Sequence, residues 1–111
     1  MEHSTNQSLI DALSHCAAAC NFCVSACLDE QVVTMLTDCI KIDMDCAAIC
    51  TLTASFVARN SAHARHLLPE CVEICNKCAT ECEKHSHMEH CKVCAEACRQ
   101  CAAACEQMEM A

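Results

Sequence analysis

The sixteen cysteines of this 111-residue chain are spaced like residues on one face of a helix. An α-helix advances about 100° per residue, so intervals of three, four and seven residues return a side chain to the same face. Every interval within four separate runs is one of these. The runs are Cys16, Cys20, Cys23 and Cys27; Cys39, Cys46 and Cys50; Cys71, Cys75, Cys78 and Cys82; and Cys91, Cys94, Cys98, Cys101 and Cys105. The pattern therefore predicts four helices, each with a stripe of thiols.

The two halves of the chain repeat each other. A shift of 55 residues places all seven cysteines of the first half on cysteines of the second half. The segment from Cys46 to Cys50 aligns with the similar segment that ends at Cys105. We interpret the chain as a duplicated two-helix hairpin. The second half has two additional thiols, which lie opposite Leu36 and Asp43 in the first half.

The duplication predicts an all-α fold. Short connections make neighbouring helices antiparallel, so we expect an up-down-up-down four-helix bundle with all four stripes facing inward. The predicted helices are 8–28, 31–58, 61–84 and 88–108, forming hairpin repeats of about 8–58 and 61–109 within a single domain, 1–111. Asp29 and Ser61 are expected to N-cap the second and third helices. Pro69 either kinks the third helix or lies in the first turn of its cysteine-bearing part.

The composition excludes several classes of protein. Cysteine at this density suggests a disulfide scaffold, but such scaffolds are rich in loops, and this chain has no glycine and one proline. The N-terminus lacks the pattern of a secretory signal, and no stretch is expected to be long enough to span a bilayer, so we expect a reducing cytoplasm. A net charge of −8 with only two aromatic residues argues against nucleic-acid and membrane partners.

An inward stripe of cysteine is an unusual way to fill a core. Leucine and isoleucine bury more apolar area and do not oxidise, so packing alone does not explain the thiols. Thiolates bind Cu(I), Zn(II) and iron–sulfur clusters. Zinc and iron–sulfur sites use isolated loop spacings that are absent here. Each Cu(I) that replaces a thiol proton leaves the core's charge unchanged, whereas a zinc tetrathiolate buries two negative charges.

The residues therefore predict Cu(I) storage at about one ion per cysteine, on the order of 16 per chain. Two alternatives remain open: a zinc buffer or metal-delivery protein, and a redox-sensing or purely structural thiol bundle. Catalysis is not expected, since no nucleophile, base and orienting residue form a set, and no catalytic residue or further cofactor is assigned.

The motifs resemble those of the cytosolic bacterial copper storage proteins. The resemblance covers nearly the whole chain and lies in the stripes Cys16–Cys27 and Cys71–Cys82, in Asp45–Cys50, in Glu81–His85 and in the run Cys91–Cys105. It implies a four-helix bundle that fills with Cu(I) and assembles into a homotetramer. We also expect a copper chaperone as a protein partner.

The two ends of the predicted bundle differ. At one end the stripes continue into an apolar plug, formed by Leu9, Leu13, Val57, Leu67, Leu68 and Met108. At the opposite end, here called the mouth, they continue into polar, histidine and methionine residues, namely Glu30, Gln31, Met35, His85, Ser86, His87 and Met88. Imidazole and thioether groups suit Cu(I) arriving from outside. We therefore add His85, His87 and Met35 to the sixteen cysteines as candidate ligands.

Asp43 is the remaining candidate ligand. It lies in the thiol row between Cys39 and Cys46, where a carboxylate needs a partner or a metal. A shift of register that exposes Asp43 to water is the alternative. His90 falls off the stripe and is a weaker candidate.

Overall fold

The computed structural model describes residues 3–110 and forms a rod-shaped bundle with extents of 45 × 19 × 18 Å. Four long helices make up nearly all of it: α1 (His3–Leu28), α2 (Thr37–Ala58), α3 (Ala64–Glu83) and α4 (Glu89–Met110). A short 3-10 helix, Val33–Met35, lies between α1 and α2. The predicted all-α fold is confirmed.

The helices pack in a square. Each contacts two neighbours, α1 with α2 and α4, and α3 with α2 and α4. The turn between α1 and α2 and the turn between α3 and α4 therefore share one end of the rod, which is the mouth. The α2–α3 turn and both chain ends lie at the plug. Every cysteine stripe faces the axis of the bundle, and all sixteen cysteines are buried.

The second helix begins later than predicted. Residues 29–36 form a turn and the 3-10 helix, and α2 starts at Thr37. The expected cap at Asp29 is wrong, because the N-cap is Leu36 and no side chain bonds to the first turn. Hydrophobic periodicity extends through the 3-10 turn, so the sequence pattern alone did not reveal the break.

The third helix also begins a little later, at Ala64 rather than Ser61. Its N-cap residue is His63, whose backbone N–H donates to Ser61 Oγ at 3.1 Å. Ser61 thus supports the helix start from two residues before the cap. Pro69 lies within a continuous α3. It is the sixth residue of α3, where its missing N–H removes one helical bond near the start of the helix.

The α2–α3 turn shows how a chain without glycine ends a helix. Asn60 adopts a left-handed conformation with φ of 54°. Its N–H donates to Val57 O at 2.9 Å, and the N–H of Ser61 donates to Phe56 O at 3.0 Å. These two bonds form a Schellman motif, in which asparagine replaces the usual glycine. The motif returns the chain at the plug end.

Helix α1 meets the length and composition criteria for a membrane span over Asn6–Leu28, which has 23 residues and a mean hydropathy of 1.3. The expectation that no stretch is long enough was wrong. Cysteine and alanine raise the hydropathy of α1, and its cysteines point into the bundle. A third of the stretch is buried inside the bundle.

We predict that the metal-free chain is already folded. Protonated thiols with alanine and leucine form an acceptable apolar core, and the helices already bury them together. Far-UV circular dichroism of the reduced, metal-free protein is expected to show a strongly helical spectrum that Cu(I) changes little. An unfolded metal-free chain that gains helix only with Cu(I) would contradict the preformed bundle.

Candidate metal centre

The thiols form one connected cluster along the bundle axis. All sixteen are unbridged and have no exposed surface. Sulfur atoms on different helices approach closely, with Cys39 Sγ 3.5 Å from Cys82 Sγ and Cys50 Sγ 3.6 Å from Cys75 Sγ. These distances place neighbouring sulfurs near enough to share a metal ion once deprotonated.

The cluster is built in layers. At several levels four sulfurs contributed by three helices lie within 4.8 Å of one another, a spacing that allows them to coordinate a common ion or group of ions. Five such sets are Cys50, Cys71, Cys75 and Cys101; Cys16, Cys46, Cys50 and Cys75; Cys16, Cys20, Cys46 and Cys98; Cys20, Cys78, Cys94 and Cys98; and Cys23, Cys27, Cys39 and Cys91. Several cysteines belong to two sets, so ligands can bridge from one layer to the next.

Asp43 lies inside this cluster and is fully buried. Its Oδ1 accepts hydrogen bonds from Cys78 Sγ at 3.0 Å and Cys94 Sγ at 3.3 Å. Cys82 Sγ is 3.4 Å from the same oxygen, and Cys39 Sγ is 3.7 Å from Oδ2. The register that would expose this residue is therefore wrong. Asp43 joins thiols of three helices near the mouth.

Burial is the main cause of the raised pKa values of two core groups near the mouth, Asp43 and Cys91. Desolvation, reinforced by the neighbouring Cys94, raises the pKa of Asp43 from 3.8 to about 7. Desolvation and the nearby Cys27 raise the pKa of Cys91 to about 12. The cysteine at the mouth end of α4 is therefore protonated in the metal-free protein, and a metal must displace its proton.

The predicted ligands at the mouth are less buried than the thiols. His85 is half-buried, and its Nε2 lies 3.6 Å from Glu81 Oε2. His87 is exposed, with its ring centroid 6.5 Å from that of His85. Met35 is 72 % exposed, whereas Met88 packs against the core. The structure thus places the two histidines side by side but leaves Met35 on the rim.

His90 is more buried than its place off the cysteine stripe suggested. Its Nε2 is buried without a hydrogen-bond partner among the described residues. Such a nitrogen is costly unless something binds it. The sequence contained a signal for this burial. His90 is four residues before Cys94 and one before Cys91, which places it at the edge of the thiol stripe.

The opposite end of the cluster is closed by apolar side chains. Leu13 and Val57 are fully buried, and Leu9 and Leu68 nearly so. Leu67 is half-buried, and Met108 is partly buried against the core. The plug and mouth proposed from the stripes therefore differ in the structure as they do in the sequence.

A family model described as "Csp: Copper storage protein" matches residues 2–110. The chain belongs to the copper storage protein family.

Two solved structures agree with this assignment, and one further relative is similar in sequence. A cytosolic copper storage protein from Streptomyces lividans, solved with five coppers, is 42% identical, with 97% of this chain and 94% of that chain covered and a TM-score of 0.93. Cu(I)-bound BsCsp3 of Bacillus subtilis is 38% identical over 95% of this chain and 98% of that one, with a TM-score of 0.90. An uncharacterized cysteine-rich protein, YhjQ, of Bacillus subtilis is 40% identical over 81% of this chain and 82% of its own length.

Membership of the copper storage family decides among the three classes left open by the residues. Copper storage is the function of this chain, and the buried thiol layers are the structural feature suited to it. Storage is a binding role. The zinc-buffer and redox-sensor readings lose their main support, because the family match covers nearly all of the chain.

Stability of the metal-free protein is expected to fall as pH rises. Asp43 keeps its proton in the folded state up to about pH 7, whereas the unfolded chain loses it near pH 4. The contribution of Asp43 to the free energy of unfolding is therefore fully present below pH 4 and is lost as the pH rises to 7. Between pH 5 and 7.5 the loss should be about 2 to 3 kcal/mol. The free energy of unfolding, measured with a denaturant at both pH values, tests this prediction.

The matched variant is Asp43→Asn, which keeps the shape and cannot ionise. The wild type should lose about 2 to 3 kcal/mol more stability between the two pH values than this variant does. All other side chains are the same in the two proteins, so their contributions to the pH dependence cancel in the comparison. Equal pH dependence of the two proteins would show that Asp43 is not the group responsible.

Proposed function

We propose that this chain stores Cu(I) at about one ion per core cysteine, using all sixteen thiols as ligands. The observation that carries the proposal is the continuous buried cluster of unbridged thiols. Two sulfurs per ion, each shared with a neighbouring ion, give a capacity on the order of 16. The whole chain, 1–111, acts as one storage domain.

Charge balance favours a monovalent cargo. Each Cu(I) that enters replaces the proton of one thiol, and that proton leaves to solvent, so the charge of the core is unchanged. Divalent zinc on four thiolates would bury two negative charges at each site, which is costly in a core without compensating cations. Asp43, the one buried carboxylate among the described residues, is proposed as an oxygen ligand whose charge lets the core hold one further cation.

The mouth is proposed as the route of copper into and out of the core. His85 and His87 are neighbouring imidazoles outside the first thiols, and Met35 offers an exposed thioether on the rim. His90 adds a buried nitrogen next to Cys91. Neutral imidazole and thioether bind Cu(I) well enough to receive it and weakly enough to release it to thiolates.

We place this storage in the cytoplasm, in agreement with the cytosolic protein of Streptomyces lividans. A copper chaperone is proposed as the donor of copper, and neither nucleic acid nor a membrane is proposed as a partner.

The chain is proposed to assemble as a homotetramer, with interfaces on its exposed apolar side chains, among them Phe22, Met44 and Leu52. No catalytic step is proposed.

Anaerobic titration is expected to load more than about ten Cu(I) ions per chain and to protect nearly all thiols from alkylation. Zn(II) should saturate at about four ions or fewer, because each needs four thiolates. Native mass spectrometry would count both the ions per chain and the chains per particle. Zinc occupancy equal to that of copper would instead favour a zinc buffer, and a monomer would exclude the tetramer.

Replacing His85 and His87 together by leucine should slow uptake from a Cu(I) chelator severalfold without changing the final capacity, since the storing thiols lie deeper. The control, Leu13→Ala, removes a fully buried side chain at the plug. It should cost about 2 to 5 kcal/mol of stability and leave the uptake rate unchanged. If the histidine variant loads at the wild-type rate and the Leu13 variant loads faster, copper uses the plug end.

A further inference from the structure

Leu36 is the one leucine, isoleucine, valine or phenylalanine with a buried side chain at the mouth, among the residues that the structure describes. It is 1 % exposed, although Met35 beside it is 72 % exposed and Val32 is 41 % exposed. The turn between α1 and α2 therefore lies over the mouth and inserts a single apolar side chain into the core cluster.

The backbone holds Leu36 firmly in this position. Its N–H donates to Val33 O at 2.9 Å, which closes the 3-10 turn. Its carbonyl accepts from Ile40 N–H at 2.9 Å, which is the first bond of α2. Leu36 is thus both the end of one turn and the N-cap of the next helix. It lies three residues before Cys39, one helical turn further out along the same stripe.

The duplication shows what this position holds in the other hairpin. Leu36 corresponds to Cys91 under the 55-residue shift. Cys91 Sγ lies 3.9 Å from both Cys23 Sγ and Cys27 Sγ. The α1–α4 side of the mouth therefore presents three adjoining sulfurs. At the equivalent place on α2 the chain presents a hydrocarbon.

This difference bears on how copper moves. Cu(I) in a dry core passes from one donor atom to the next, because leaving all ligands in a low-dielectric environment is costly. A leucine side chain offers no donor atom. The close pair Cys39 and Cys82, whose sulfurs are 3.5 Å apart, lies below Leu36 and lacks a sulfur directly above it on α2.

We propose that Leu36 is an apolar gate on the α2 side of the mouth, which directs incoming Cu(I) to the α1–α4 side through Cys91 and Cys27. Copper then reaches Cys39 and Cys82 from within the core. The inference rests on the proposed function, since it assumes storage in the thiol core and uptake at the mouth, and it names the side of the mouth that is used.

The decisive variant is Leu36→Cys, which restores the duplicated pattern. It should raise capacity by about one ion and speed uptake from a Cu(I)-loaded chelator about threefold or more, because a second donor path opens. The matched control is Leu13→Cys at the plug, which also replaces a fully buried leucine three residues before a cysteine. It should gain the same capacity with no change in rate.

Two further variants show whether a faster uptake comes from the added sulfur or from the lost packing of the Leu36 side chain. Leu36→Met preserves volume and adds a thioether, so it too should speed uptake. Cys91→Ser should slow uptake in the wild-type background, and this slowing should be largely relieved when Leu36 is also replaced by cysteine. Circular dichroism before loading confirms that each variant is folded.

The outcomes separate the gate from the storage function. Wild-type rates in Leu36→Cys and Leu36→Met, with capacity near one ion per thiol, would overturn the gate and leave storage intact. Equal acceleration by Leu13→Cys, or no effect of Cys91→Ser, would also overturn it. A wild-type capacity of only a few Cu(I) ions would overturn the proposed function itself.

Discussion

The burial of sixteen thiols along one axis is the constraint on which the rest of the molecule depends. A protonated cysteine packs as a small apolar side chain, so the stripes can form the core of a bundle before any metal is present. The same side chain becomes a soft ligand when it loses its proton. One set of residues therefore supplies both the folding energy of the metal-free chain and the coordination of its cargo.

The line of thiols also fixes the direction of the helices and the position of the turns between them. Because the thiols must stay in line, the helices have to run nearly parallel to the axis for several turns, and the connections are confined to the two ends. Glycine is absent, and Asn60 takes the left-handed position that ends α2. The two ends differ in chemistry, because Leu13 and Val57 close one end and histidines flank the other.

The departures from internal symmetry are as informative as the repeat. Asp43 and Leu36 occupy the two first-hairpin positions whose counterparts are Cys98 and Cys91. Asp43 brings a carboxylate into contact with four thiols, and Leu36 brings a hydrocarbon to the mouth. A perfectly repeated hairpin would have had neither a buried acid nor an apolar side chain over one side of its opening.

The sequence by itself determined the four helices, the inward stripes and the soft-metal chemistry. The cysteine intervals are a local property of the helix, and unpaired thiols on the inner face of a helix suit soft metal ions. The sequence did not determine where α2 begins, since the periodicity runs unbroken through the 3-10 turn that ends at Leu36. Only the tertiary structure decided that Asp43 is buried and that His90 has a buried nitrogen, because burial depends on which helices lie opposite a residue, and a single stripe carries no information about its neighbours.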